Sequence, residues 1–162
     1  MLKVKQFRYG ADNLGYLVYG AKSAMAIDGG AADAIIAFLA EHRLTLRYVA
    51  NTHRHSDHTG GNGALLAKSQ ARPLTGVDLS DGARIGLDAG EILIVHTPGH
   101  TEDSLCFYTG NALISGDTLF NGTIGNCFTG DLAGFFPLLS KQARCSRCKL
   151  YRSRCLPCCR KA

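Results

Sequence analysis

A chain of 162 residues, 46% apolar and 19% charged, is long enough for one domain with a real core and too short for two comfortable ones. Even an apolar run such as Ala34 to Ala40 falls far short of the ~20 residues that span a bilayer, so no membrane partner is expected. The start, Met1 to Arg8, carries positive charge with no apolar stretch behind it; it does not read as a signal peptide, and a cytoplasmic protein is the expectation.

The net charge of +5 hides two unlike segments. Residues 1–136 contain ten Lys+Arg against all thirteen Asp+Glu, whereas residues 137–162 contain eight Lys+Arg and no acid. Five of the seven cysteines, Cys145, Cys148, Cys155, Cys158 and Cys159, also crowd into that tail. The two segments therefore need separate accounts.

In chain order, Leu14 to Tyr19 follows the turn signal Ala-Asp-Asn, and Ser23 to Ile27 ends at Asp28-Gly29-Gly30; both read as largely buried strands. Ala31 to His42 has Ile35, Ile36, Leu39 and Ala40 at helical spacing and reads as a helix. Arg47 to Asn51 reads as a strand leading into a histidine cluster, and Gly63 to Gln70 as a helix following it. Glu91 to His96 alternates as a strand until Thr97-Pro98-Gly99 breaks it. Ser104 to Tyr108 and Ala112 to Ser115 flank Thr109-Gly110-Asn111, a hairpin signal. Early alternation of strands and helices followed by clustered strands suggests a layered sandwich with a mixed sheet.

The chemistry concentrates in Thr52-His53-Arg54-His55-Ser56-Asp57-His58-Thr59-Gly60-Gly61-Asn62. Residues two apart in extended chain point the same way, so His53 and His55 can face one metal, while Asp57 and His58 approach from beyond the strand end. Imidazoles with a carboxylate are the ligand set of zinc or iron. So tight a titratable cluster would repel itself on protonation unless a cation organised it. Elsewhere, His96 reads as a strand residue and His42 as a solvated helix-end residue. Cys106 reads as a small core hydrophobe, and Asp103 as a candidate to orient His100.

T-H-x-H-x-D-H-x-x-G-G resembles the signature of the metallo-β-lactamase superfamily. Thr97-Pro98-Gly99-His100-Thr101 and Gly116-Asp117-Thr118-Leu119-Phe120 resemble two further blocks of that family in order and spacing, and Asp28-Gly29-Gly30 matches its early Asp-Gly turn. The resemblance covers roughly residues 4–136 and points to the glyoxalase II-like branch. It implies an α+β fold, the αββα sandwich, incomplete at the C-terminal side. It implies a first metal on His53, His55 and His100, and a second on Asp57 and His58 with Asp117 bridging. The metal is zinc, one or two ions, with iron or manganese as alternatives. It further implies a metal-dependent hydrolase in which metal-bound hydroxide, held by the catalytic carboxylates Asp57 and Asp117, attacks a small thioester or related acyl substrate.

Two departures bear on this. Asn126 and Phe128 stand where the branch has a Lys and a Tyr that contact glutathione, which argues against glutathione as the thiol carrier. No histidine follows His100, so the family's last ligand is missing and the second metal site is weakened. The tail, residues 137–162, offers Cys145-x-x-Cys148 and Cys155-x-x-Cys158, but the gap between pairs is shorter than the ~15–20 residues of a zinc ribbon. Its charge would suit a polyanion, but Tyr151 is its one aromatic, so nucleic acid is not expected as a partner. The preferred reading is a coding region read out of frame or truncated, giving a disordered tail that leaves an apolar sheet face uncovered. The alternatives to a thioester hydrolase are an inactive or repurposed remnant binding one metal, a mono-iron persulfide dioxygenase-like enzyme using His53, His100 and Asp117, and nucleic-acid binding through the tail.

Overall fold

The computed structural model describes residues 1–120 and 123–130, together with the backbone of 149–151. Two five-stranded sheets face one another. The first runs β1 (Lys3–Tyr9), β2 (Asn13–Tyr19), β3 (Ser23–Ile27), β4 (Thr45–Ala50) and β5 (Arg72–Pro73) in spatial as well as sequence order. Its first three strands pair antiparallel and its last three parallel. The parallel step from β3 to β4 is made by α1 (Ala32–Glu41), which crosses over the outer face. The second sheet contains β6 (Arg84–Leu87), β7 (Gly90–His96), β8 (Leu105–Tyr108) and β9 (Ala112–Ile114), joined antiparallel. Lys149–Tyr151 of the tail run parallel to β9 as its outer neighbour. The remaining expectations for residues 137–162, including the two Cys pairs and disorder, lie outside the described residues.

Alternation along the strands explains the layering. In β2 and β3, Tyr16, Val18, Met25 and Ile27 point inward and meet Ile92, Ile94, Leu105, Phe107 and Ile114 of the second sheet. Leu17, Ala24 and Ala26, one residue out of phase, point outward and meet Ile35 and Leu39 of α1 and Leu65 of α3 (Asn62–Ala67). The small alanines of β3 let the helices approach, and each fully buried Leu or Ile contributes about 1.5–3 kcal/mol. These are the helix and sheet layers of the sandwich that the resemblance implied, with two sheets where local patterning suggested one.

Polar contacts join the sheets at both ends. Asp88, in the β6–β7 turn, accepts from the backbone N–H groups of Ala21, Lys22 and Ser23 and from the Ser23 hydroxyl. At the opposite end, Leu105 N–H, opening β8, donates to the Thr52 carbonyl at 2.7 Å, two residues past β4. The histidine cluster lies at this second junction.

Candidate metal centre

The site begins at the end of β3. Asp28 is fully buried and adopts a left-handed conformation, φ 54°, which Asp tolerates better than most side chains. Its carboxylate accepts the Thr52 N–H and hydroxyl, each at 2.8 Å, and its Oδ2 lies 3.0 Å from His58 Nδ1. These bonds pull residues 51–55 off the sheet ladder, so β4 ends at Ala50 and the histidines sit in a loop rather than on extended strand. The turn packs too closely for side chains at two glycines. A Cβ on Gly30 would lie 2.1 Å from the Tyr9 ring, and one on Gly61 would lie 1.9 Å from the Gly29 carbonyl oxygen. A single helical turn, α2 (Ser56–Thr59), then carries Asp57 and His58 back under the loop.

From the second sheet, the bend after β7 supplies His100, and the 3-10 turn Gly116–Thr118 after β9 supplies Asp117, both buried. The ligand atoms of His53, His55 and His100 lie within 4.8 Å of one another, as do those of His53, His58 and Asp117. His53 Nε2 is 2.9 Å from His55 Nδ1, and His100 Nε2 is 3.3 Å from the same atom. Two imidazole nitrogens held tetrahedrally at the ~2.0–2.1 Å of a zinc–nitrogen bond stand ~3.3 Å apart. Asp117 touches both groups: its carboxylate oxygens are 3.5 Å from His58 Nε2 and 3.6 Å from His100 Nε2. Asp57 Oδ2 lies 3.8 Å from His58 Nε2 on the more open side. His58 Nε2 itself is buried and, among the described residues, makes no hydrogen bond closer than its 3.5 Å approach to Asp117. A buried nitrogen facing carboxylates without a close bond of its own is a demand that a cation meets, so the residues fit a divalent metal.

The other ring nitrogens are held in place. His53 Nδ1 contacts the Thr52 hydroxyl at 3.1 Å, and His100 Nδ1 contacts the Asn126 carbonyl at 3.1 Å. Burial, with help from the His58 charge, pushes the His53 imidazole down to about 4. Burial likewise lowers His100, against the pull of Asp117. His58 goes the other way. Burial alone would lower it, but Asp117 and Asp28 against its two ring nitrogens raise it to about 10.

All six residues singled out from the sequence therefore come together: His53, His55, Asp57, His58, His100 and Asp117. His96 does not join them. It ends β7, and its Nε2 lies 2.8 Å from the Leu79 carbonyl oxygen. Asp103 does not orient His100 but pairs with Arg54 at 3.1 Å, leaving the Asn126 carbonyl in that role. Cys106 is buried in β8, and His42, at the end of α1, stacks on Phe38. Asp28 is legible in the sequence only as a turn residue, and no local motif marks Asn13, whose Nδ2 donates to Asp57 Oδ2 at 3.2 Å. Phe128 is 67% exposed with its ring 5.1 Å from that of His100, an apolar surface at the mouth.

Residues 13–79 match the model of the Metallo-beta-lactamase superfamily. The chain is 36% identical over 133 residues to a hydroxyacylglutathione hydrolase of Anaeromyxobacter dehalogenans, covering 76% of this chain and 52% of that protein. It is 30% identical over 164 residues to one of Pseudoalteromonas translucida, covering 93% and 64%. The chain thus spans between half and two thirds of the length of these curated relatives. Among solved structures, ETHE1 from Myxococcus xanthus superposes with a TM-score of 0.84 at 23% identity, covering 96% of this chain and 76% of that one. BLEG-1 B3 metallo-beta-lactamase superposes with a TM-score of 0.80 at 22% identity, covering 95% and 92%. These two likenesses concern the fold. By the family model matched over residues 13–79 and the curated relatives at 30–36% identity, together with the histidine and aspartate motifs gathered at one junction, the chain belongs to the metallo-β-lactamase superfamily.

Proposed function

We propose that the chain is a metal-dependent hydrolase of thioesters or related acyl compounds, with His53, His55 and His100 as the principal metal ligands. The observation that carries this reading is their convergence, with all three ligand atoms within 4.8 Å, beside the second group His53, His58 and Asp117. A divalent cation bound there supplies a Lewis acid for the substrate carbonyl and acidifies water to a pKa of about 7. The chain's own groups do the rest. Asp117, between the two groups, bridges them. Asp57, half-exposed beside it, holds the attacking water and takes up its proton. Hydrolysis adds water across the acyl–sulfur bond and releases an acid and a thiol. Phe128 at the mouth offers the leaving thiol an apolar surface rather than a cation or hydroxyl. Zinc is the metal we favour, and the cytoplasm the compartment.

The test is turnover of a glutathione thioester and of a carrier-free thioester by the metal-loaded full chain and by His55→Ala. Thiol release that depends on both metal and His55 supports the reading. Its absence with the metal still bound would leave an inactive metal-binding remnant. A second reading rests on His53, His100 and Asp117, a two-histidine, one-carboxylate set of the kind iron oxygenases use, with Asp117 Oδ2 3.6 Å from His100 Nε2. Oxygen uptake by the iron-loaded chain with a persulfide, without thioester turnover, would favour it.

A further inference from the structure

We infer that Asn13 and Tyr9 of the β1–β2 hairpin are positioning residues that aim Asp57 into the second metal group. The inference rests on the reading of Asp57 as a metal ligand.

Asp57 sits on a helix of four residues with no side-chain cap, and one turn of helix cannot hold a half-exposed carboxylate to one direction. Two contacts from a distant hairpin hold it. The Tyr9 hydroxyl donates to the Asp57 carbonyl at 2.7 Å, and Asn13 Nδ2 donates to its Oδ2 at 3.2 Å. Tyr9 and Asn13 are directly opposite in the β1–β2 register, so one cross-strand pair grips both the backbone and the side chain of the same residue. Neither contact is a by-product of loose packing. The Tyr9 ring lies where a Cβ on Gly30 would be, so only glycine leaves room for it. The other end of the Asn13 amide, Oδ1, is buried and, among the described residues, has no hydrogen-bond partner. Leaving a buried acceptor unmade is unfavourable, and a site selected for stability alone would fill it with an apolar side chain or supply a donor. The amide is kept for its donor, and that donor faces Asp57. The gripped oxygen is the one that lies 3.8 Å from His58 Nε2, so the hairpin fixes the rotamer on which the second group depends.

The experiment is a cobalt(II) titration of the full chain, followed by absorption and calorimetry, for Asn13→Ala, Tyr9→Phe, Asp57→Ala and the double variant Asn13→Ala/Asp57→Ala. Tyr9→Phe keeps the ring against Gly30 and tests the hydroxyl without disturbing the packing. We expect Asn13→Ala to weaken the second equivalent about 10–100-fold and change its d–d spectrum, with the first equivalent held within about threefold. Tyr9→Phe should weaken the same equivalent, and Asn13→Ala should add nothing in the Asp57→Ala background. Losses that simply add in the double variant, or a second equivalent untouched by Asn13→Ala and Tyr9→Phe, would overturn the positioning role. A second equivalent that survives Asp57→Ala would overturn the ligand assignment, and this inference with it.

Discussion

The rings of His53 and His58 lie tilted against each other with centroids 4.2 Å apart, yet they hold protons at opposite ends of the scale. His53, lowered to about 4, is already neutral at pH 7 and ready to bind a metal. His58, raised to about 10, remains protonated until a metal displaces that proton. Binding at the His58 group should therefore release about one proton per metal, and its apparent affinity should rise about tenfold per pH unit below 10. Calorimetry in buffers of different ionisation enthalpy measures this, and an equivalent bound without proton release would contradict it. The same shift bears on stability. The folded pKa of His58 lies above its unfolded value, so in the metal-free chain its contribution is complete below about pH 6.5 and is lost as pH rises through about 10. Melting temperatures of the metal-free chain should fall across that window. His55→Ala should abolish the tight metal and His96→Ala should leave it, since His96 bonds to Leu79 and lies outside both groups. Equal losses on elemental analysis would show the ligand set to be misassigned. The ligands were legible because His53, His55, Asp57 and His58 fall within six residues and the other two sit in recognisable blocks. The partners that orient them were not. Asp28 reaches Thr52 and His58 from 24 and 30 residues away, and Asn13 reaches Asp57 from 44, distances at which local pattern says nothing.

Among the elements, the buried strands and the helices α1 and α3 were legible, and the single turn α2 and the edge strands were not. β1 and β6 carry Lys, Arg and Gln on exposed positions, a composition that suits a strand with one unpaired side but weakens the apolar alternation by which strands are recognised. β5, two residues including Pro73, is too short to register at all. The loop at residues 125–130 matters most for specificity. Its Asn126 serves His100 through the backbone carbonyl, and Phe128 is the large apolar side chain it exposes at the mouth. A thioester carried by glutathione should accordingly be preferred by less than ~100-fold in kcat/KM over a carrier-free one, the ratio equivalent to about 2.7 kcal/mol. A larger preference would reveal a carrier site elsewhere on the chain. The early Asp-Gly-Gly turn has its own test. Gly30→Ala drives a methyl group into the Tyr9 ring and should destabilise the fold by about 1–3 kcal/mol, read as a shift in the denaturant midpoint.

On the scale of the whole molecule, the sheets are held apart by a core of interdigitated side chains and tied together at two ends, and the ties differ in kind. The Asp88 tie is permanent chemistry. The carboxylate is held well below its usual range, first by the Ser23 hydroxyl and then by the backbone N–H groups, so its contribution is present above about pH 4 and is lost as pH falls toward the folded value. The other tie, beside the metal groups, combines the Thr52–Leu105 backbone hydrogen bond with the exposed Arg54–Asp103 ion pair. His53, His55 and His58 enter those groups from the first sheet, with Asp57 beside His58, and His100 and Asp117 enter from the second. With no histidine after His100, close to one tightly held metal per chain is the expected stoichiometry, and two tight metals by elemental analysis would overturn it.

A cation gripped from both sheets is a cross-link that the covalent chain lacks. It closes the loop between residues 53 and 117 much as a disulfide would, and a closure of that length removes about 4 kcal/mol of unfolded-state entropy. The metal-free chain should therefore unzip first at this end and stay shut at the Asp88 end, giving one sandwich two local stabilities. Hydrogen exchange reads this directly. The Leu105 amide, bonded to Thr52, should lose protection on chelation far more than the Ser23 amide held by Asp88, and equal losses would mean that the sheets part as one.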